Sequence, residues 1–240
     1  MTILLYHTDS YVQTFESKVN GLDEANHAII LDRTAFYPGG GGQPFDTGIL
    51  IYNQISITVN RARKVGDDVL HFLDPGMPLP AMGDTVTGNI TWERRYKLMR
   101  THTALHVLCG VVFRDFGASV TGGDMDPLQG RMDFEFETMQ RELVQTIQEA
   151  INREIEKNRP IKTAILPREE AFKIPDLIRT KINLLPEGIP QVRVVEIVGL
   201  DLQADGGTHV HATGEVGPIR IVDYKSKGKI NKRIYIELDE

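Results

Sequence analysis

One cysteine, Cys109, stands among the 240 residues. No disulfide can form within the chain, and a cysteine-rich zinc module is excluded. No stretch approaches the ~18 apolar residues that a membrane span requires. The opening residues, MTILLYHTDS, lack a basic segment followed by a long apolar one, so no signal peptide is expected and the cytoplasm is the natural compartment. Excess positive charge is missing too. The 27 Lys and Arg stand against 33 Asp and Glu, for a net charge of -6, which argues against coating nucleic acid through global charge. There is neither a G-x-G-x-x-G fingerprint nor a Gly-Lys-Ser/Thr, so dinucleotide and P-loop binding have no support. Internal repeats and low-complexity tracts are absent.

What is present suits a soluble globular protein with a real core. The hydrophobic fraction is 41%, the mean hydropathy is -0.22, and the length allows one or two domains. TILLY, AIILDR, GILIYN, ISITVNRARKV and DTVTGNITW are short, rich in Ile, Val and Thr, and separated by Gly, Asp, Asn and Pro. They predict a small antiparallel barrel. From Glu93 to about Phe116 the pattern turns helical, with Met99, His102, His106 and Phe113 on one stripe and Gly110 the only interruption. GRMDFEFE alternates like a strand, and Thr138 is the expected N-cap of a second helix that Pro160 ends. IKTAIL and QVRVVEIVG read as strands, and PIRIVDYKSKGKINKRIYIEL as a hairpin. The expected organisation is α+β, with a β-barrel domain over 1–92 and an α+β domain over 93–240.

Three stretches carry chemistry. In RTHTALHVLCG, His102 and His106 are four apart, which on a helix brings their Cβ atoms within ~5–6 Å on one face. The peptidase motif with this spacing, H-E-x-x-H, needs a Glu where this chain has Thr103. Cys109 lies seven residues from His102, ~10.5 Å along a helix axis, too far to share an ion with it readily. In ADGGTHVHATGEVG, Asp205 and His209 are also four apart, around two glycines that let the chain fold tightly. Together with the histidine pair they make three nitrogens and one oxygen, a donor set suited to zinc, with His211 a rival to His209. The third stretch is DRTAFYPGGGGQPFDTG, whose four consecutive glycines are costly in an ordinary turn and permit close backbone approach to a ligand. Two basic clusters accompany them: RRYKLMR (94–100), and KSKGKINKR (225–233) with Lys225, Lys227, Lys229, Lys232 and Arg233.

Taken in order, T-x-F-Y-P-x-G-G-G-Q-P-x-D-x-G, H-T-A-L-H and G-G-T-H-V-x-x-T-G-E-V-G resemble the editing region of alanyl-tRNA synthetase. The chain has no room for a synthetase catalytic core. It is therefore similar to the free-standing alanyl-tRNA editing proteins of the medium-length type, over most of its length. The resemblance implies an editing domain of the threonyl/alanyl-tRNA synthetase type behind the barrel. It implies one Zn2+ per chain on His102, His106, Asp205 and His209, with Asp205 where the family usually has Cys. The implied reaction is hydrolysis of the ester of tRNA(Ala) wrongly loaded with serine, and also of glycine. Thr34 is then expected to contact the side chain of the amino acid, and Gln43 to orient water or bind the terminal adenosine. Gly40, Gly41, Gly42 and the lysine-rich hairpin are expected to hold the acceptor arm. No membrane and no obligate protein partner is expected. The alternatives are a non-catalytic tRNA-binding module with a structural metal, and a zinc peptidase.

Overall fold

A computed structural model describes residues 1–180, 185 and 188–240. The chain forms two compact units, Met1–Tyr96 and Lys97–Glu240.

The first unit contains β1 (Ile3–Leu4), β2 (Thr14–Asp23), β3 (Ala28–Leu31), β4 (Arg33–Thr34), β5 (Gly48–Tyr52), β6 (Ile55–Val65), β7 (Asp68–Leu73) and β8 (Thr85–Ile90). Six of these close into a barrel in the order β2-β3-β7-β6-β5-β8. Its core holds Phe15, Ile29, Leu31, Phe36, Leu50 and Val69. Of TILLY only Ile3–Leu4 is a strand; Leu5–His7 tightens into a single helical turn that buries Tyr6, whose ring meets Tyr37 edge-on at 5.3 Å. Strand β2 escapes the sequence reading because its inward residues are Phe15, Ser17 and Val19. The apolar alternation is broken at Ser17, whose hydroxyl donates to Asp32 Oδ1 at 2.7 Å.

Helix α1 (Trp92–Phe116) begins in the first unit and runs into the second. Its Arg95 is fully buried. The guanidinium is paired with the Asp46 carboxylate, with Nε 2.9 Å from Oδ2, and donates to the Ser10 carbonyl at 2.9 Å. The cluster 94–100 is thus no surface patch. Arg100 is also occupied, donating to the carbonyls of Val216 at 3.0 Å and Asp239 at 2.7 Å.

The second unit adds β9 (Val120–Asp126), β10 (Gln129–Glu135), α2 (Arg141–Glu156), β11 (Ile161–Pro167), α3 (Arg168–Ala171), β12 (Gln191–Ile197), β13 (Asp201–Ala204), β14 (Ile219–Ser226) and β15 (Asn231–Leu238). They form an antiparallel sheet ordered β14-β15-β10-β9 and a second ordered β11-β12-β13. Residues 101–112 of α1 are all buried, the behaviour of a central helix and not of an amphipathic surface one. Thr138 does not cap α2. The N-cap is Gln140, with no side-chain cap; the buried face of the helix begins with Val144, within a turn of that start, and continues at Ile147.

Candidate functional site

The buried part of α1 carries His102 and His106 one turn apart. Asp205 follows directly on the last residue of β13, where its N–H still donates to the Arg193 carbonyl of neighbouring β12 at 3.1 Å. The Asp205 carboxylate accepts the Gly207 N–H at 2.8 Å, a short-range bond that folds the two glycines tightly and returns the chain toward α1. His209 then lies against the histidine pair, its ring centroid 4.4 Å from that of His102 and 4.7 Å from that of His106.

The candidate ligand atoms of His102, His106, Asp205 and His209 all lie within 4.8 Å of one another, a cluster that could hold a metal ion. His209 Nε2 is 3.0 Å from Asp205 Oδ2, and His102 Nε2 is 3.5 Å from Asp205 Oδ1. Bonds of ~2.0–2.1 Å to a tetrahedral centre put neighbouring ligand atoms ~3.3–3.4 Å apart, so these two separations match the edges of such a site. Burial drives the His102 imidazole well below its usual pKa and that of His209 down to about 4. Both are neutral near pH 7, with lone pairs to offer. Burial alone would raise the Asp205 carboxyl, but the imidazoles of His102, His209 and His106 hold it well below the usual range. His106 differs: burial opposes its charged form, yet the carboxylates of Asp201 and Asp205 raise its pKa overall.

Position 103 has another use here. Thr103 Oγ1 is 3.1 Å from His209 Nδ1. That contact leaves Nε2 of His209 toward the cluster, and it occupies the position where an H-E-x-x-H peptidase carries its base. His211 is exposed, whereas His209 is buried. Cys109 lies outside the cluster; its sulfur is 3.3 Å from Gln203 Nε2, and burial pushes its thiol pKa up.

In the first unit, Gly39 to Gly42 all have positive φ, from 58° to 130°. Gly40 and Gln43 exchange backbone hydrogen bonds of 3.1 and 2.9 Å across Gly41–Gly42, a two-residue turn that L-residues adopt poorly. The Tyr37 hydroxyl donates to the Gly40 carbonyl at 2.9 Å. Tyr37 and Asp46 close the base of the loop, the Tyr37 N–H donating to Asp46 Oδ2 at 2.7 Å. Gln43 is buried, while Gly40 and Gly41 are exposed.

Thr34 is fully buried. Its hydroxyl is 2.8 Å from His71 Nε2 and accepts the Phe36 N–H at 3.1 Å. Burial lowers the His71 pKa to about 4, so the ring is neutral. Nδ1 faces the Ile29 carbonyl at 3.3 Å, the arrangement in which Nδ1 carries the proton and Nε2 accepts from Thr34.

The lysine-rich hairpin is partly self-neutralised. Lys232 is buried, its Nζ donating to the carbonyls of Gly228 and Lys229 at 2.8 and 2.9 Å. Arg233 is bonded to both oxygens of Asp133 at 2.6 and 2.8 Å, and Lys225 Nζ lies 2.9 Å from Asp223. Lys227 and Lys229, at the tip, are exposed. Sequence reasoning missed a different basic surface. Exposed Arg61 lies over the rings of Phe45 (5.7 Å) and Phe72 (5.8 Å), and exposed Arg63 over Phe72 (5.4 Å). The available signal was R-A-R on one strand, two positions apart and so on one face.

Residues 192–235 match the family described as threonyl and alanyl tRNA synthetase second additional domain, and residues 6–94 match tRNA synthetases class II (A). The alanyl-tRNA editing protein AlaX-M of Saccharolobus solfataricus is 43% identical over 238 residues, 98% of each chain. That of Methanosarcina mazei is 38% identical over 244 residues, 99% of this chain and 97% of the relative. The alanine–tRNA ligase of Ignicoccus hospitalis is 39% identical over 224 residues, which are 91% of this chain but 24% of the ligase. The likeness thus runs end to end along the free-standing proteins and stops at one part of the ligase, and the chain belongs to the AlaX-M family of alanyl-tRNA editing proteins.

Proposed function

We propose that this protein hydrolyses the aminoacyl ester of tRNA(Ala) mischarged with serine, and with glycine as a second substrate, using one zinc ion held by His102, His106, Asp205 and His209. The observation that carries the reading is the buried cluster of three imidazoles and one carboxylate in a chain of this family. A pocket shaped for alanine rejects an isostere bearing an extra hydroxyl only ~10²-fold, so a second site that favours serine is needed. Zinc bound here would supply a Lewis acid for the ester carbonyl; because four protein ligands close a tetrahedral site, Asp205 would have to yield its position to the substrate.

The residues of the chain supply the rest. Thr103 holds His209, and the Gly207 N–H holds Asp205. With its proton donated to His71 and one lone pair taken by Phe36, the Thr34 oxygen keeps a second lone pair. That lone pair accepts the hydroxyl of a serine ester and has nothing to accept from alanine. Gln43, held by the glycine turn, orients water or the terminal adenosine. Deacylation of Ser-tRNA(Ala) and Ala-tRNA(Ala) by the Thr34→Val variant tests this. One lost hydrogen bond of ~1–1.5 kcal/mol narrows the preference for serine about tenfold, and an unchanged Ser/Ala ratio removes Thr34 from the mechanism.

The acceptor arm is a polyanion, and its contacts are assigned to the Gly40–Gly42 turn, whose Gly40 and Gly41 are exposed, to Lys227 and Lys229, and to the Arg61–Phe72–Arg63 surface. An arginine lying over an aromatic ring keeps its N–H edges for phosphate and offers a stacking face to unpaired bases. The double variant Arg61→Ala/Arg63→Ala is expected to raise KM for tRNA about tenfold and to flatten its dependence on salt, as loss of two phosphate contacts requires. Wild-type KM and salt slope would take this surface out of the tRNA site.

A further inference from the structure

We propose that Asp201 is the carboxylate that sets the tautomer and ring orientation of His106, and that Gly110 is the gap in α1 that lets it reach that ring. The inference rests on the reading of the cluster as a metal site and adds a positioning residue to it.

Asp201 opens β13, and its side chain is fully buried. Its Oδ2 lies 3.4 Å from His106 Nδ1. That nitrogen is buried and makes no hydrogen bond among the described residues, so the carboxylate is the acceptor toward which a small rotation of the ring would carry its N–H. The carboxylate is itself fixed. Gln203 Nε2 donates to Oδ2 at 2.6 Å, and Arg179 Nε approaches Oδ1 at 3.4 Å. Arg179 in turn lies over the Phe113 ring at 3.8 Å. Metal-binding histidines generally give their second ring N–H to such a partner, which fixes the ring and raises its basicity. With Nδ1 committed to Asp201, Nε2 is the nitrogen left for a cation.

Gly110 explains how a carboxylate comes so near a central helix. Proline aside, glycine is the poorest helix former, so one in the buried middle of α1 calls for a packing reason. It lies one turn beyond His106 on the same face. A Cβ there would stand 2.9 Å from Asp201 Cβ and 3.0 Å from Leu200 Cγ. A methyl group at 110 therefore pushes the start of β13 away and lengthens the contact with His106.

The test uses the full chain in two forms. Zinc affinity, measured by competition with a chelator, is expected to fall about 10–100-fold in Asp201→Asn. At a pH high enough to leave the ring neutral, the ¹⁵N shifts of His106 in metal-free protein should show the proton on Nδ1 in the wild type and a tautomer mixture in the variant. Gly110→Ala keeps every polar group and removes only the gap, so it should show both changes if Asp201→Asn folds poorly. Wild-type affinity together with an unaltered His106 tautomer in either folded variant overturns the proposal. A wild-type chain that binds no zinc sinks the metal reading instead, and the tautomer then judges Asp201 alone.

Discussion

His209→Ala, or chelation of the wild-type protein, is expected to slow hydrolysis of Ser-tRNA(Ala) about 10³-fold, while the chain stays folded. The rate follows from the several kcal/mol of charge stabilisation that a metal contributes to acyl transfer; ~4 kcal/mol corresponds to ~10³. Survival of the fold follows from the surroundings of Asp205. Without a cation its charge still faces Arg193 Nη1 at 3.6 Å and accepts the Gly207 N–H, so it is not left buried and uncompensated. Zinc added back should restore the chelated wild type and leave His209→Ala inactive. Single-turnover rates and unfolding midpoints measured side by side decide the matter. Unfolding on chelation, with no separate effect on rate, would make the metal structural and the protein a tRNA-binding module.

Asp46→Ala is expected to destabilise the barrel unit by ~3–5 kcal/mol, the cost of stranding a buried partner. Arg95 is fully buried, and its ion-pair partner is this carboxylate. The same oxygen that takes the guanidinium also takes the Tyr37 N–H, so the base of the glycine loop opens as well. Deacylation should fall along with stability, because Thr34 and Gln43 stand on either side of that tie. Replacing both partners with apolar residues, Asp46→Leu with Arg95→Met, should recover part of the loss, since an apolar pair leaves no charge behind. Equilibrium denaturation of the full chain gives the result; a cost under ~1 kcal/mol for Asp46→Ala would mean that the pair is not holding the loop.

Much of this was legible in the sequence, for reasons that can be named. The i, i+4 spacing of His102 and His106 is read directly once the helix is, and Asp-Gly-Gly before His209 announces a tight return. Both signals are local. The choice between His209 and His211 was not local, because residues 207–210 are all buried and no alternation separates the two. The meeting of Asp205 and His209 with His102 and His106 needs a sheet edge and a helix brought together from distant parts of the chain, and spacing gives only its possibility. Arg95 reads as part of a basic patch by composition. It nevertheless continues the stripe of Met99, His102 and His106 by one turn, and periodicity counted from the histidines would have placed it inside. His71 is a polar residue in an apolar strand and Asp201 opens a short mixed one; neither carries a further signal, since their partners are 37 and 95 positions away. Strand β9, with Gly122, Gly123, Asp124 and Asp126, has the composition of a loop and is a strand because β10 pairs with it along its length.

X-ray absorption at the zinc edge of the loaded protein tests the central claim most directly. Four light scatterers at ~2.0–2.1 Å, three from imidazole and one from carboxylate, are the expected result, with imidazole scattering diminished in His209→Ala. A sulfur shell at ~2.3 Å would bring Cys109 into the coordination sphere, and that result, or a spectrum unchanged in His209→Ala, would contradict a cation shared by His102, His106, Asp205 and His209.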